Sequence, residues 1–382
     1  MSIPQLSVRH GRTDDADARA AVAAIVDQIR QPAMSGVLFF CSAHYDLAVL
    51  GAAIAEALPD TPVIGCTSAG QFGPGGFQRG GMSAVSLASP ELVMTPHVIH
   101  GLGEARSHAA TLARTIHARP ARPPGWHAFA LILVDGLAMA EERLVAALYE
   151  NLSDIALVGG SAGDDLRFEQ TFIYHRGRFH SDAALVTVFD TRVPFEVFRF
   201  QHFEPTATSL VITDADPEIR VVREINGEPA ALAYAAAVGV AVEGLTAQVF
   251  SSHPLLVKIG GAHYVRSIQQ ANPDHSLTLF CAIEDGLVVY IGRGIDICAT
   301  AAQALRLAAT NVAATMDAVP PAFVLGCDCI LRRLEFENSG IAAEVGTLYA
   351  EHGVFGFSTY GEQYKGIHVN QTFTGVAFGG AR

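Results

Sequence analysis

The sequence predicts an α/β fold of the mixed α+β kind, arranged as two domains whose mixed sheets are covered by helices. Three observations point there. The chain has 382 residues, more than one hydrophobic core usually organises. Half of the residues are hydrophobic and 16% are charged, the composition of a packed protein rather than a disordered one. Short apolar runs of strand character alternate with amphipathic stretches of helical period, without the strict rhythm of a purely parallel sheet.

Residues 14–30 read as a helix, because Val22, Ile25, Val26 and Ile29 share one face behind early aspartates that suit a helix N-terminus. A buried strand over 36–41, a helix over 46–57 and a strand over 62–66 follow. The last runs into the small-residue turn 65–70, and a strand over 83–87 closes the series. The order then recurs: a strand at 129–134, a helix at 141–152 with Leu144, Val145, Leu148 and Leu152 on one face, and a strand from 155 into the turn 159–163. Strands near 171–174 and 183–189 complete it. A third series has a strand at 322–326, a helix-like segment up to His352, the turn 356–361 and a last strand over 369–378. One strand-helix-strand-turn-strand unit reused along the chain explains this order; chance similarity of glycine-rich turns is the alternative.

Turn signals are densest over 203–217 and again at 223–229, which places a first domain at 1–220 and a second at 221–382. The second carries strands at 277–281 and 287–291 and a helix bearing Ala301, Leu305, Ala308 and Val312.

A formal net charge of −13 argues against nucleic acid as a partner, since binding the phosphate backbone needs a positive footprint. No run of 18 apolar residues exists, so no membrane insertion is expected. Residues 1–17 do not read as an export signal, and the six cysteines read as buried free thiols, so a cytoplasmic location is expected.

Two catalytic patterns are present in form. Gly159-Gly-Ser161-Ala-Gly163 fits the serine-hydrolase elbow, but strand rather than helix follows it, so the oxyanion geometry is not implied. Cys66 ends a strand with no partner histidine specified locally, and a packed thiol is the commoner case. A serine or cysteine hydrolase stays as an alternative. Cys327 and Cys329 project from one strand face and offer half of a metal site; two small core residues are the plainer reading. Among fifteen histidines, His253, His352 and His368 stand in contexts where a neutral imidazole beside an apolar cavity would suit haem iron, although each alone is more often structural.

Taken together, residues 39–46, 63–70, 134–136 and 157–164 resemble the N-terminal domain of the FIST sensory family, and 224–230 with 356–362 and 370–372 resemble its C-terminal domain. The resemblance covers essentially the whole chain and implies a ligand-binding sensor rather than an enzyme. Residues 327–335 and 360–372 look closest to the subset of the family that binds haem b and senses nitric oxide, regulating a histidine kinase or a cyclic-di-GMP enzyme. On that resemblance His368 is the preferred axial ligand, with His253 and His352 as rivals. Arg332 and Arg333 would meet the propionates, and Tyr360, Tyr364 and Phe357 would line the cavity. Other members are thought to sense small polar ligands such as amino acids, and the resemblance leaves homo-oligomerisation open.

Overall fold

The structure is a computed structural model, and it describes residues 5–152, 154–314 and 323–380. Residue 322, where the third series was expected to begin, and residues 1–4 of the stretch read for an export signal lie outside that description. The chain forms two compact units. One comprises Met1–Arg199, Ala302–Ile367 and Phe373–Arg382; the other comprises Phe200–Ala301 and His368–Thr372. Residue 220, the expected linear boundary, lies inside the second unit.

The first unit is built from one motif used three times. Each motif has an edge strand, a central strand, a helical crossover, a strand parallel to the central one, a hairpin and a closing antiparallel strand. The parallel pairs are Met34–Cys41 with Val63–Thr67, His127–Val134 with Ala156–Ser161, and Phe323–Cys329 with Val354–Thr359. The closing strands Met82–Ala88, Ala183–Thr191 and Phe373–Phe378 pair antiparallel with the central ones. The edge strands Ser7–Thr13, Leu92–His100 and Phe195–Phe200 sit beyond them.

Each hairpin joins another motif's sheet, and the exchange is cyclic. Gln71–Gly73 of the first motif pairs with Val354–Thr359 of the third, and Ile173–His175 of the second pairs with Val63–Thr67 of the first. Glu362–Tyr364 of the third pairs with Ala156–Ser161 of the second. The result is three six-stranded mixed sheets. The reused unit expected from sequence is present; the exchange of hairpins was not foreseen, because strand alternation does not say which edge a hairpin will find.

A shared core explains the near-continuous apolar runs of the central strands. Phe40 and Ile64 of the first sheet, Leu131 and Leu133 of the second, and Leu325 and Phe357 of the third meet in one buried cluster. Phe40 and Phe357 stack with ring centroids 4.1 Å apart. Outer faces are covered by helices: Ala18–Ile29 and Leu47–Ala57 on the first sheet, Ala105–His117 and Glu141–Asn151 on the second. Strands buried on both faces have no solvent side, so they do not alternate.

In the second unit an eight-stranded sheet is organised around the long, irregular strand Phe203–Asp216. The helix Ala230–Val238 adds Tyr234 to its core, and Phe250 of the helix Ala247–Ser252 completes it. No described helix is long and apolar enough to cross a membrane.

Candidate ligand-binding site

The three parallel pairs end at a common place, and the chain there is tied into a ring. Ala69 N–H donates to the Ser358 carbonyl, Gly163 N–H to that of Thr67, and Tyr360 N–H to that of Ser161, each at 3.1 Å. These are equivalent positions in the three motifs, so each motif donates once and accepts once. C-terminal ends of parallel strands are where α/β folds usually place ligands.

At this end the second motif inserts the loop 164–172. The Asp164 carboxylate is buried and accepts from the N–H groups of Phe168 at 2.8 Å, Glu169 at 2.6 Å and Gln170 at 3.0 Å. It also accepts from the Tyr360 hydroxyl at 2.5 Å, while Phe168 stacks on the Tyr360 ring at 4.6 Å. Burial raises the Tyr360 pKa, and the bond to Asp164 adds to the rise, so the phenol stays protonated and donating. The loop holds Asp165, Leu166 and Phe168 at φ values of 57°, 68° and 54°, strain that the Asp164 bonds must offset. Asp164→Ala is therefore expected to speed amide exchange over 166–170 by at least about tenfold, since losing a charged acceptor costs more than about 1.4 kcal/mol. Exchange measured by mass spectrometry that is unchanged there would show the loop to be held otherwise.

A groove of about 660 Å³ opens beside the hairpin that the first motif lends to the third sheet. Gly75, Gly76 and Phe77 form one wall and one face of the helix Ala342–Glu351 forms the other. That face is small: Ala342, Ala343, Gly346 and Ala350 line the groove, with Thr347 and Glu351 as its polar members. A Cβ at Gly346 would stand 3.5 Å from the Phe77 ring, an ordinary contact distance, so the glycine leaves open space in the groove. Arg333 lies in the lining, with only 8% of its surface exposed. Its Nε donates to Glu337 at 2.6 Å, its guanidinium lies 4.1 Å above the Phe77 ring, and its Nη1 has no hydrogen-bond partner. Glu337 also pairs with Arg79. Burial lowers the Arg333 pKa, against Glu337, which raises it.

The residues singled out in the sequence fall in different places. Arg333 is in the groove and Tyr360 is in the ring. Arg332 is fully buried and committed to Asp328 at 2.6 Å, so it faces no cavity. Phe357, Cys327 and Cys329 belong to packed strands, and burial, followed by the charge of Glu362, raises the Cys327 thiol pKa. Among the described residues no group of three or more His, Cys, Asp or Glu converges to hold a metal ion. Tyr364 sits under Lys365 and Arg199, at 5.4 and 5.9 Å. His352 caps the groove helix with Nδ1 2.9 Å from the Leu348 carbonyl. In the second unit, His253 Nδ1 lies 3.3 Å from the Val249 carbonyl, and buried His368 accepts Arg266 Nη1 on its carbonyl at 3.1 Å. None of these three histidines lines the groove.

The hydrolase patterns do not assemble. Ser161 is fully buried, its Oγ accepts from Gln363 Nε2 at 2.9 Å, and a loop and strand follow it. Cys66 is fully buried, and burial raises its pKa well above the ordinary thiol value, so no thiolate forms there near neutral pH. The groove itself was missed in the sequence. Its signal was present: a glycine at 346 inside a helical pattern, and the Pro74-Gly75-Gly76 turn.

The FIST N domain profile matches residues 36–228 and the FIST C domain profile matches residues 230–365. Over 95 residues the chain is 30% identical to an uncharacterized protein of Methanocaldococcus jannaschii, a match covering 25% of this chain and 18% of that protein.

Proposed function

The chain belongs to the FIST family of sensory signalling proteins, and from that premise we propose that it senses a small polar ligand held in the groove over Arg333. The carrying observation is the buried, unpartnered Nη1 of Arg333, a residue in the lining of a groove of about 660 Å³. Pockets of this volume suit small molecules. A ligand carboxylate satisfies Arg333, and Glu351 on the same lining takes an ammonium group. An amino acid carries both. Filling the groove links the borrowed hairpin to the helix Ala342–Glu351, a local change that biases a surface without chemistry at the site. A histidine kinase or a cyclic-di-GMP enzyme is the proposed class of partner that reads the change.

The test is a calorimetric screen of the twenty amino acids against the wild type, Arg333→Gln and Gly346→Leu. A binder is expected, with affinity falling at least about 20-fold in Arg333→Gln, the loss of a charged hydrogen bond. Gly346→Leu should abolish binding by filling the groove. Binding that both variants leave intact would place the ligand elsewhere.

Haem is the second reading. His253 and His352 each direct Nδ1 to a backbone carbonyl, the arrangement that leaves Nε2 for a metal, and His368 is buried. Bound haem would supply an iron that takes nitric oxide. Protein made with haem supply would then show a Soret band that shifts with nitric oxide and is lost in one of His368→Ala, His253→Ala or His352→Ala. A colourless protein removes this reading and leaves the groove untouched.

A further inference from the structure

A second cleft, of about 690 Å³, lies in the first unit away from the Arg333 groove. Its lining divides by chemistry. Leu58, Pro62, Val63, Met94 and Pro96 give an apolar side, and Tyr174, His175 and Arg176 close the other. Asp60 and Thr61 stand at its rim as hydrogen-bonding groups.

Behind His175 lies a concentration of basic side chains that is unexpected in a chain of net charge −13. Strand register explains it. In the hairpin Ile173–His175 and Arg178–His180, Ile173 pairs with His180 and His175 with Arg178, so all four point to one face. That hairpin belongs to the first sheet. The strand Leu92–His100 of the second sheet brings His100 against it, with the His100 and His180 rings 4.8 Å apart and edge to face. The charged neighbours that lower the His175 pKa are basic: Arg176, His180, His100 and His97. Arg178 adds to the field at His180, and Arg119, itself paired with Asp190, acts on His97. Asp60 is the only carboxylate among the described residues of the cleft lining.

We propose that this cleft binds a phosphorylated small molecule, with its phosphoryl group on Arg176 and His175 and its organic part against Leu58, Pro62, Met94 and Pro96. Arg176 supplies a permanent charge at the mouth. The imidazoles supply a conditional one: burial first, and then the neighbouring cations, lower the His175 pKa to about 4, and burial also lowers His180 and His97. They are neutral at pH 7 in the empty cleft. A bound anion favours their charged forms and raises those pKa values, so binding takes up protons and strengthens as pH falls. Asp60 is placed for a hydroxyl or amine of the same ligand.

Sulfate is the clean probe, because it remains fully ionised across the range used. Titrating it into the full chain at pH 8 and pH 5.5, with chloride holding ionic strength constant, and following the imidazole resonances, gives the affinity directly. Binding is expected to be about tenfold tighter at the lower pH, which corresponds to the His175 pKa rising from about 4 to about 6.5 in the complex. Arg176→Gln should remove sulfate binding at both values, whereas His175→Asn should retain weak binding and lose most of its pH dependence. Pyrophosphate at pH 7 should displace sulfate. A wild-type affinity indifferent to pH, or an Arg176→Gln variant that binds as the wild type does, would overturn the proposal. Neither result bears on the Arg333 groove, which shares no lining residue with this cleft.

Discussion

Alanine at Gly159 is expected to destabilise the three-sheet unit by about 3 kcal/mol. The reason is a contact that no side chain can move to relieve. Gly159 pairs with Ile132 across the second parallel pair, and a Cβ there would lie 2.0 Å from the Ile132 carbonyl oxygen. Gly65 and Gly356 occupy the same place in the other motifs, where a Cβ would stand 2.4 Å from the Phe39 oxygen and 1.8 Å from that of Gly326. All three obstacles are backbone atoms, so accommodating a methyl group requires the parallel strands to part. The adjoining ring of N–H donors would be pulled out of register with them. Gly103→Ala is the control: a Cβ there meets nothing within 4 Å, and a change within about 0.5 kcal/mol is expected. Urea unfolding followed by circular dichroism measures both. Equal midpoints for Gly159→Ala and Gly103→Ala would mean that the strands have slack the geometry does not show.

The second large effect belongs to the buried ion pair in the third motif. Asp328 and Arg332 are almost wholly buried, bonded at 2.6 Å one helical turn apart, and Tyr349 donates its hydroxyl to the other Asp328 oxygen at 2.7 Å. Burial alone would lower the Arg332 pKa, but the Asp328 charge outweighs it and the net shift is upward. Tyr349 is pushed well up, by burial first and by Asp328 second, so it remains a donor. Asp328→Asn leaves a buried guanidinium without its counter-charge and is expected to cost about 3–5 kcal/mol. Asp328→Leu combined with Arg332→Met removes both charges, and should cost less than Asp328→Asn alone, because a buried pair barely repays its own desolvation. An additive double mutant in the same urea experiment would contradict that coupling. The pair therefore fixes where the helix Ile330–Asn338 leaves its strand more than it adds net stability. It also explains why adjacent arginines differ. Arg332 is spent on the core, and Arg333, one residue on, faces the groove.

Much of the fold was legible because it rests on local pattern. Helical spacing located the helix Ala18–Ile29, and its Asp17 cap accepts the Ala20 N–H as an N-terminal aspartate should. Apolar runs located the central strands, and the glycine turns marked all three motif ends. The edge strands Ser7–Thr13 and Leu92–His100 were missed because His10, Arg12, His97 and His100 break their apolar pattern. The short hairpin strands were missed or shifted for another reason: with three residues each, they owe their strand form to the sheet they join. The candidate site was less legible still. Arg333 was named, but for the propionates of haem; its groove partner Phe77 lies far from it in sequence, and the signal at Gly346 does not say what the helix packs against.

By itself the sequence determined the central strands, their covering helices and the resemblance to a sensory family, and it suggested the reuse of one motif, because these depend on spacing that can be read residue by residue. Only the tertiary structure decided where each hairpin pairs, that the first unit is assembled from three separated stretches of chain, and which polar side chains are consumed by the core. Those outcomes depend on backbone approach and desolvation between residues far apart in sequence. A glycine is obligatory when a carbonyl stands 2.0 Å from where its Cβ would be. An arginine is free to bind only when no buried carboxylate has already claimed it, and no local pattern carries that information.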